Sequence, residues 1–283
     1  MKIAALSWQR YHGRKAGSIG SSVIRVDWLC QADTDFVPWS HGISYDAIIM
    51  QKVYWRDLLV DFHGASILDL CDPDWYDSSV DIAELSKLCG AITVNTQVLA
   101  DSLRGYVQCP IFVVPDRINF SQLPAPRAVS GERAKIVAWY GYIQNAREVL
   151  GMVLDDLARL HLKLLVVSNM SYEPLDTHGV EIINVPWEHG SAWREIQRAD
   201  IVLNPRWFTP RFTYKSNNKT IIAQALGLPV AYDIEELEAL MEPDGRKKQL
   251  RDIDAKLHWD YDIKRSAEQY KQIIAGINAK KGT

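Results

Sequence analysis

The segment from Lys215 to Tyr232 reads KSNNKTIIAQALGLPVAY, and its pattern indicates the fold class. A polar turn precedes a short apolar helix, the glycine of ALGLP ends that helix, and the strand-like PVAY follows. Turn, helix and buried strand in this order are typical of the βαβ units that surround a parallel sheet. The segment therefore predicts an α/β fold of the kind that nucleotide-binding proteins use.

Short apolar strands alternate with amphipathic helical stretches along the rest of the chain, which extends the βαβ pattern. A first series of predicted strands lies at residues 2–8, 46–51, 66–71, 91–96 and 111–115. A second series lies at residues 135–141, 163–169, 180–186, 200–205 and 229–232. The two series indicate two parallel sheets.

The stretch FSQLPAPRAVSGER, between the two series, is rich in Pro, Ser and Gly and is typical of a linker. A chain of 283 residues also exceeds the commonest size of one domain. We therefore predict two Rossmann-like domains, at residues 1–122 and 134–262, joined by a linker at 123–133. Apolar residues at helical spacing in 263–283 predict a C-terminal helix, which could pack back on the first domain.

The composition is that of a soluble globular protein, with 47% hydrophobic and 24% charged residues. The net charge of -3 gives no electrostatic footprint for wrapping nucleic acid. The four cysteines lack any C-x-x-C spacing, which argues against a zinc site. No signal peptide and no apolar run of membrane-spanning length is present, so the expected location is cytoplasmic.

The KSNNK turn gathers groups that suit an anion. Lys215, Lys219 and the Thr220 hydroxyl surround a helix that is expected to start near Asn218. Cations and backbone N–H groups at the carboxyl edge of a parallel sheet are what a diphosphate needs. A solvated basic turn is the alternative.

A second candidate turn lies in GYIQNAREVL, where Gly141 ends a predicted strand and Tyr142 follows it. A glycine at this position lets the backbone approach a ligand closely. An ordinary turn between a strand and a helix is the alternative.

The segments AWYGYIQN, ADIVLNPRW and KSNNKTIIAQALGLPVAY stand in the order of a known family. The second domain thereby resembles the nucleotide-sugar domain of GT-B glycosyltransferases, over about a third of the chain. The first domain is similar more loosely, through LDLCDPDW, AITVNTQVLADSLRGY and IFVVPDRINF. The resemblance implies a donor such as a UDP sugar on the second domain, an acceptor on the first and a cleft between them.

The resemblance also implies roles for individual residues. Gly20 and Ser21 match the glycine-containing loop after the first strand, near the reaction centre, although a ligand-free surface loop is the alternative. Trp187 follows a strand where the family contacts the nucleotide base, and a structural Trp is the alternative. Arg206 lies in a cluster of cations and aromatic residues, PRWFTPRFTYKS, that suits phosphate or base contacts.

One departure from the family pattern concerns a pair of glutamates. Many members carry two glutamates eight positions apart, and the second contacts the donor ribose. The matching positions here hold Tyr214 and Ile222. This difference keeps open a protein that binds a nucleotide sugar without catalysis.

Candidate catalytic bases lie in VDFHGASILDLCDPDWYD. His63 precedes a glycine at a predicted turn, and a structural histidine is the alternative. Asp72 ends a predicted strand and begins Asp-Pro-Asp, which suits a catalytic carboxylate, a metal-binding D-x-D ending at Asp74, or a plain turn.

We therefore predict a metal-independent glycosyltransferase that needs no cofactor beyond its nucleotide-diphosphate sugar. The alternatives are a metal-dependent transferase, a sugar-nucleotide epimerase and a non-catalytic binding protein. Protein, lipid-linked glycan, small molecule and nucleic acid all stay open as acceptors, the last through a local basic patch. The arginines of that patch are Arg104, Arg117, Arg127 and Arg133.

Overall fold

A computed structural model describes residues 1–15, 17, 20–77, 80–205, 213–251, 257 and 259–281. The chain divides into two compact units. The first consists of Met1–Asn119, Thr213–Ser216 and Asp262–Thr283, and the second of Phe120–Phe212 and Asn217–Tyr261. Each unit is built around one parallel sheet.

The sheet of the first unit has the strand order β2-β1-β3-β4-β5-β6, and every pairing is parallel. Its strands are β1 (Ile3–Ser7), β2 (Phe36–Pro38), β3 (Ala47–Gln51), β4 (Ala65–Leu70), β5 (Ala91–Val94) and β6 (Ile111–Val113). All residues of β1, β3, β4 and β5 are buried. Burial on both faces explains why these strands are nearly continuous apolar runs.

Helices connect the strands of this sheet. They are α1 (Trp8–Tyr11), α2 (Gly20–Ser22), α3 (Trp28–Ala32), α4 (Arg56–Asp61), α5 (Asp74–Asp77), α6 (Ile82–Leu88) and α7 (Gln97–Leu103), with a π-helical turn at Val23–Asp27. Side-chain caps fix two helix starts: Asp81 accepts the Glu84 N–H at 3.0 Å, and Thr96 accepts the Leu99 N–H at 3.2 Å.

The sheet of the second unit has the strand order β11-β10-β7-β8-β9, also parallel throughout. Its strands are β7 (Ile136–Gly141), β8 (Lys163–Ser168), β9 (Ile182–Pro186), β10 (Ile201–Leu203) and β11 (Val230–Ala231). Its helices are α8 (Ile143–Val149), α9 (Leu154–Arg159), α10 (Ala192–Ile196), α11 (Asn218–Ala225), α12 (Ile234–Ala239) and α13 (Pro243–Arg251), with 3₁₀ turns at Phe120–Gln122 and Leu150–Met152.

The last helix, α14 (Ile263–Lys281), belongs to the first unit. Its buried residues pack with Ile3, Ile49 and Ile67 of the first sheet. A Cβ added to Gly90 would lie 2.6 Å from Ile277 Cγ2, so a glycine there permits the close approach of this helix. The predicted C-terminal helix is confirmed, and it packs on the first sheet.

A buried arginine ties α14 to the sheet. Arg25 donates to both carboxylate oxygens of Asp69 at 2.6 Å and to Asp116 at 2.6 Å. The Tyr270 hydroxyl of α14 lies 2.9 Å from Asp69 Oδ1 and 3.1 Å from an Arg25 nitrogen. Although burial opposes its charge, Asp69 and Asp116 raise the pKa of Arg25 above its ordinary value. The pairing satisfies charges that would be costly alone in this interior.

The predicted α/β class with two parallel sheets is confirmed, and each of the ten predicted segments overlaps a strand. The short strand β2 was not predicted, because a three-residue run that ends in proline carries little periodic signal. Within the described part of the chain, no helix is long and apolar enough to cross a membrane.

Candidate functional site

A glycine turn ends the central strand of the second sheet. Gly141, the last residue of β7, has φ +142°, a conformation that side chains rarely adopt. The Ser168 hydroxyl donates to the Gly141 carbonyl at 2.7 Å, and the Asn169 side chain accepts the Ile143 N–H at 2.9 Å. The last residue of β8 and the residue after it therefore hold this turn in a fixed shape.

Lys219, near the start of α11, points its ammonium group at this turn. Its Nζ lies 4.2 Å from the ring centroid of Trp139, and a Cβ added to Gly141 would come within 2.8 Å of that Nζ. The Tyr140 hydroxyl donates to the Lys219 carbonyl at 2.5 Å. The aromatic face orients the cation, and only a glycine at position 141 leaves it room.

Other predicted donor contacts of the second unit differ in their exposure to solvent. Tyr142 follows the turn and is 51% exposed. Asn218 is the first residue of α11, whereas the Thr220 hydroxyl is buried and bonded to Asn204 and Tyr232. The Thr220 hydroxyl is thus part of an internal network rather than a surface group.

Trp187 follows β9 and is half-buried. Its backbone N–H donates to the Ser168 carbonyl at 2.7 Å, and its ring meets the Trp193 ring edge-on at 5.0 Å. The residue therefore sits beside the strand end that supports the glycine turn. Arg206 lies outside the described residues.

Lys215 belongs to the first unit, where its ammonium group contacts Asp72 Oδ1. Lys52 Nζ lies 2.8 Å from Asp72 Oδ2 and 3.1 Å from Asp74 Oδ1. The Tyr54 hydroxyl donates to Asp74 at 2.7 Å. Lysines and carboxylates thus form a charged cluster just after the carboxyl end of β4.

The two lysines predicted around one helix start have different partners, and their joint action on a diphosphate stays a prediction. Lys215 pairs with Asp72 in the first unit, whereas Lys219 faces Trp139 in the second. The carboxylate of Asp72 forms an ion pair with Lys215 and neutralises its charge. Of the two lysines, Lys219 is therefore the one associated with the glycine turn.

The pairing also defines the protonation state of Asp72. Burial alone would raise the pKa of this carboxyl, but Lys215 and Lys52 hold it below its ordinary value. Asp72 is therefore ionised at neutral pH. A low pKa and two bound ammonium groups make it a weak proton acceptor, and they favour a role in positioning Lys215.

His63 lies at the opposite end of β4 from Asp72. It follows α4 and precedes Gly64, and β4 begins at Ala65. A six-residue strand separates the two candidate bases by about 20 Å. Ligands of parallel α/β sheets bind at the carboxyl edge, so the placement does not support His63 as the base.

Gly20 and Ser21 begin a helical segment rather than an open loop. Ser21 Oγ lies 3.5 Å from the side-chain nitrogen of Gln51, the last residue of β3, and the Ser22 hydroxyl lies 3.0 Å from its oxygen. The predicted pair thus lies beside the carboxyl edge of the first sheet.

Sequence reasoning missed Lys52 and Tyr54 as members of the charged cluster. The available signal was position, since both follow the end of β3 and Asp72 follows β4, its neighbour. A further missed group is the Asn95 side chain after β5, whose Oδ1 is buried and has no hydrogen-bond partner among the described residues.

The predicted basic patch is distributed over both units. Arg104 and Arg117 lie in the first unit, and Arg127 and Arg133 lie in the second. Each already donates to a protein oxygen of its own unit. Among the described residues, no group of three or more His, Cys, Asp or Glu is arranged to hold a metal ion.

Two α/β units with parallel sheets of six and five strands have the GT-B architecture of glycosyltransferases. AviGT4, a glycosyltransferase involved in avilamycin A biosynthesis, matches with a TM-score of 0.61 and 12% identity over 99% of this chain and 98% of its own. An alpha-glucosyltransferase in complex with UDP and a 13-mer DNA matches with a TM-score of 0.64 and 9% identity over 97% and 99%.

TarM is also similar, with a TM-score of 0.59 and 10% identity over 87% of this chain. The chain spans only 57% of the length of TarM. No family model matches the chain. No curated protein matches it by sequence. The likeness at these identities concerns the fold.

Proposed function

We propose that the protein is a glycosyltransferase that moves a sugar from a nucleotide-diphosphate sugar to an acceptor. The observation that carries this proposal is the Gly141 turn with the Lys219 ammonium group beside it. A turn without a side chain, a nearby cation and the N-terminus of the eight-residue helix α11 together suit a diphosphate.

The chemistry explains why such a site matters. As the glycosidic bond to the donor breaks, negative charge develops on the departing diphosphate. Lys219 would stabilise that charge, because its ammonium group is already oriented by the face of Trp139. Ordering the cation in advance reduces the cost of arranging it during the reaction.

In this proposal Trp187 and Tyr142 contact the donor. UDP is the first nucleotide to test, because one similar enzyme was solved with UDP. Asp72 and Lys215 form part of the acceptor side in the first unit. Gly20 and Ser21 would contribute there as well, beside Gln51.

A non-catalytic nucleotide-sugar-binding protein is the second candidate. Ile222, where many GT-B enzymes carry a ribose-binding glutamate, is 2% exposed in α11. An apolar residue buried there supplies no hydrogen bond to a ribose. Turnover, rather than binding, separates the two candidates.

The test combines ligand-induced stabilisation with turnover. A nucleotide at about 100 times its dissociation constant should stabilise the protein by about 2.7 kcal/mol, which raises the melting temperature visibly. We expect UDP or another nucleoside diphosphate to give this shift in the wild type. Release of the nucleoside diphosphate from a panel of nucleotide sugars, with mixed acceptors, measures transfer.

Lys219→Met is the diagnostic variant, and Lys163→Met, which removes an exposed lysine of the same unit, is its control. The nucleotide-dependent shift should vanish in the first and persist in the second. Lys215→Met should retain it as well, because that lysine pairs with Asp72. If no nucleotide raises the melting temperature of the folded wild type, the proposal is refuted. Binding without turnover would favour the second candidate.

A further inference from the structure

We propose that the first unit binds a single-stranded nucleic acid on an aromatic edge, and that this strand presents the acceptor. The role of the strand as acceptor rests on the proposed glycosyl transfer, but its binding to the first unit does not. The aromatic edge consists of five rings, those of Trp8, Tyr11, His12, Trp39 and Trp55.

The rings come from the ends of three adjacent strands. Trp8 directly follows β1, Trp39 directly follows β2, and Trp55 lies a few residues beyond β3. Because β2, β1 and β3 are neighbouring parallel strands, their carboxyl ends lie side by side. Ligands of parallel α/β sheets bind at this edge.

The rings form one connected run. Ring centroids are 4.5 Å apart for Trp8 and His12, 5.0 Å for Tyr11 and His12, 5.6 Å for Tyr11 and Trp55, and 5.7 Å for Trp39 and Trp55. Tyr11 is 45% exposed and His12 is exposed, while the three tryptophans are half-buried. The run therefore exposes ring surface to solvent, and its half-buried tryptophans fix it to the unit.

Cations are interleaved with these rings. The octapeptide WQRYHGRK, from Trp8 to Lys15, contains Arg10, Arg14 and Lys15 and no carboxylate. All three cations are exposed. In the part of the chain that the structure describes, none of them has a carboxylate within ion-pair distance, whereas Lys52 of the same unit contacts two. The edge is locally basic on a chain whose net charge is -3.

This combination selects the partner. A neutral glycan would use the rings but has no charge for the cations, and an acidic peptide would use the cations but has few planar groups. A single-stranded nucleic acid provides both, since phosphates meet cations and unstacked bases stack on aromatic faces. A duplex hides its base faces and would use only the cations.

The experiment measures the binding of a labelled oligonucleotide by fluorescence anisotropy, with the full chain and no nucleotide sugar present. Oligothymidylate and oligouridylate of about 20 nucleotides cover the site size of one such surface. We expect micromolar or tighter binding at low salt that weakens steeply as salt increases. Binding of either strand supports the proposal, and the tighter of the two identifies its source.

Two variants separate the rings from the cations. R10S/R14S/K15S should weaken binding at least tenfold. It should also reduce the slope of log affinity against log salt concentration by about 2, since each phosphate contact on a single strand contributes roughly 0.7 to that slope. Tyr11→Ala should weaken binding about fivefold or more while leaving the salt dependence unchanged, because it removes a stacking face.

The control is K247S/K248S/R251S, which removes three exposed cations of α13 from a stretch without aromatic residues. It carries the same change of charge and should leave the affinity unchanged. Equal losses in the two triple variants would overturn the proposal. So would a duplex that binds as tightly as the single strand, or a neutral oligosaccharide that displaces the oligonucleotide.

The two proposals fail separately. If UDP stabilises the protein and no oligonucleotide binds, the nucleic-acid surface is refuted and glycosyl transfer stands. If the oligonucleotide binds at the aromatic edge and no nucleotide stabilises the protein, the surface stands and transfer is refuted. Thermal unfolding of each variant confirms that it is folded before its affinity is compared.

Discussion

The two units hold their cations in different ways. In the first unit, Arg25 and Lys215 bind carboxylates. In the second, Lys219 lies over the Trp139 ring, and Arg246 donates to the carbonyl oxygens of its neighbours at 2.6 to 2.9 Å. A carboxylate neutralises a cation, whereas a ring face or a carbonyl dipole orients it.

The difference bears on where an anionic ligand would be attracted. Charges that are cancelled inside the first unit contribute to stability and positioning. In the second unit, Lys219 lies over the Trp139 ring with its ammonium group near the Gly141 turn, where it would attract an anion. Three predictions test this contrast, beginning with the largest expected effect.

Removing Arg25 should cost the most. Arg25→Met leaves Asp69 and Asp116 buried without their cation, and breaking a buried pair in this way costs about 3–5 kcal/mol. Arg246→Met is the counterpart in the second unit, and it should cost less because it exposes only neutral acceptors. Urea denaturation of both variants measures the difference. A larger loss for Arg246→Met would break the contrast.

Filling the glycine turn should have an intermediate effect. Gly141→Ala introduces a Cβ 2.8 Å from Lys219 Nζ and should reduce nucleotide affinity about tenfold or more, a loss of about 1.4 kcal/mol. Gly179→Ala is the matched control, since Gly179 also has positive φ (+82°) in the second unit but has no neighbour within 4 Å of an added Cβ. Calorimetric titration with UDP compares the two.

The control shares the backbone strain of the left-handed region, about 1–2 kcal/mol, without displacing the lysine. Both variants should therefore melt earlier than the wild type. Equal nucleotide affinity in the two would mean that the position of the Lys219 ammonium group does not matter for binding.

The smallest effect is a pH dependence at Asp72. Its pKa is lowered in the folded state by Lys215 and Lys52 despite burial, so its pairing contributes stability above the unfolded pKa of about 3.9 and loses it as pH falls through the folded value. Asp72→Asn should therefore destabilise the protein at neutral pH by about 1 kcal/mol or less, since the pair is partly exposed.

The difference between Asp72→Asn and the wild type should shrink below about pH 4. Urea midpoints measured from neutral to acid pH follow it. Glu181→Gln, which breaks an exposed pair of the second unit, supplies the reference for a surface ion pair. A difference that stays constant into the acid range would show that the carboxylate charge is not the cause.

The fold could be predicted because its signal is local. Runs such as AIIM in β3 are buried on both faces, so they are apolar and visible in sequence. Strand β2 escaped because three residues carry no period. The GT-B architecture could be predicted from three motifs in order, since each motif is one strand or helix with its turn.

The site was harder to predict because its contacts are long-range. Lys215 and Lys219 lie four positions apart and look equivalent in KSNNK, yet they belong to different units. Nothing local indicates that Asp72 pairs with Lys215, or that Lys52 joins them. The aromatic edge was likewise hidden, because its rings become neighbours only through the strand order β2-β1-β3.

The placement of α14 has a consequence for how the chain is made. Residues that pack against Ile3 and Ile49 are the last part of this sequence to leave the ribosome. The second unit is synthesised in between, which takes roughly ten seconds or more at ordinary elongation rates. During that interval one apolar face of the first sheet is not covered by α14. The unit that is translated first is therefore the one that finishes folding last.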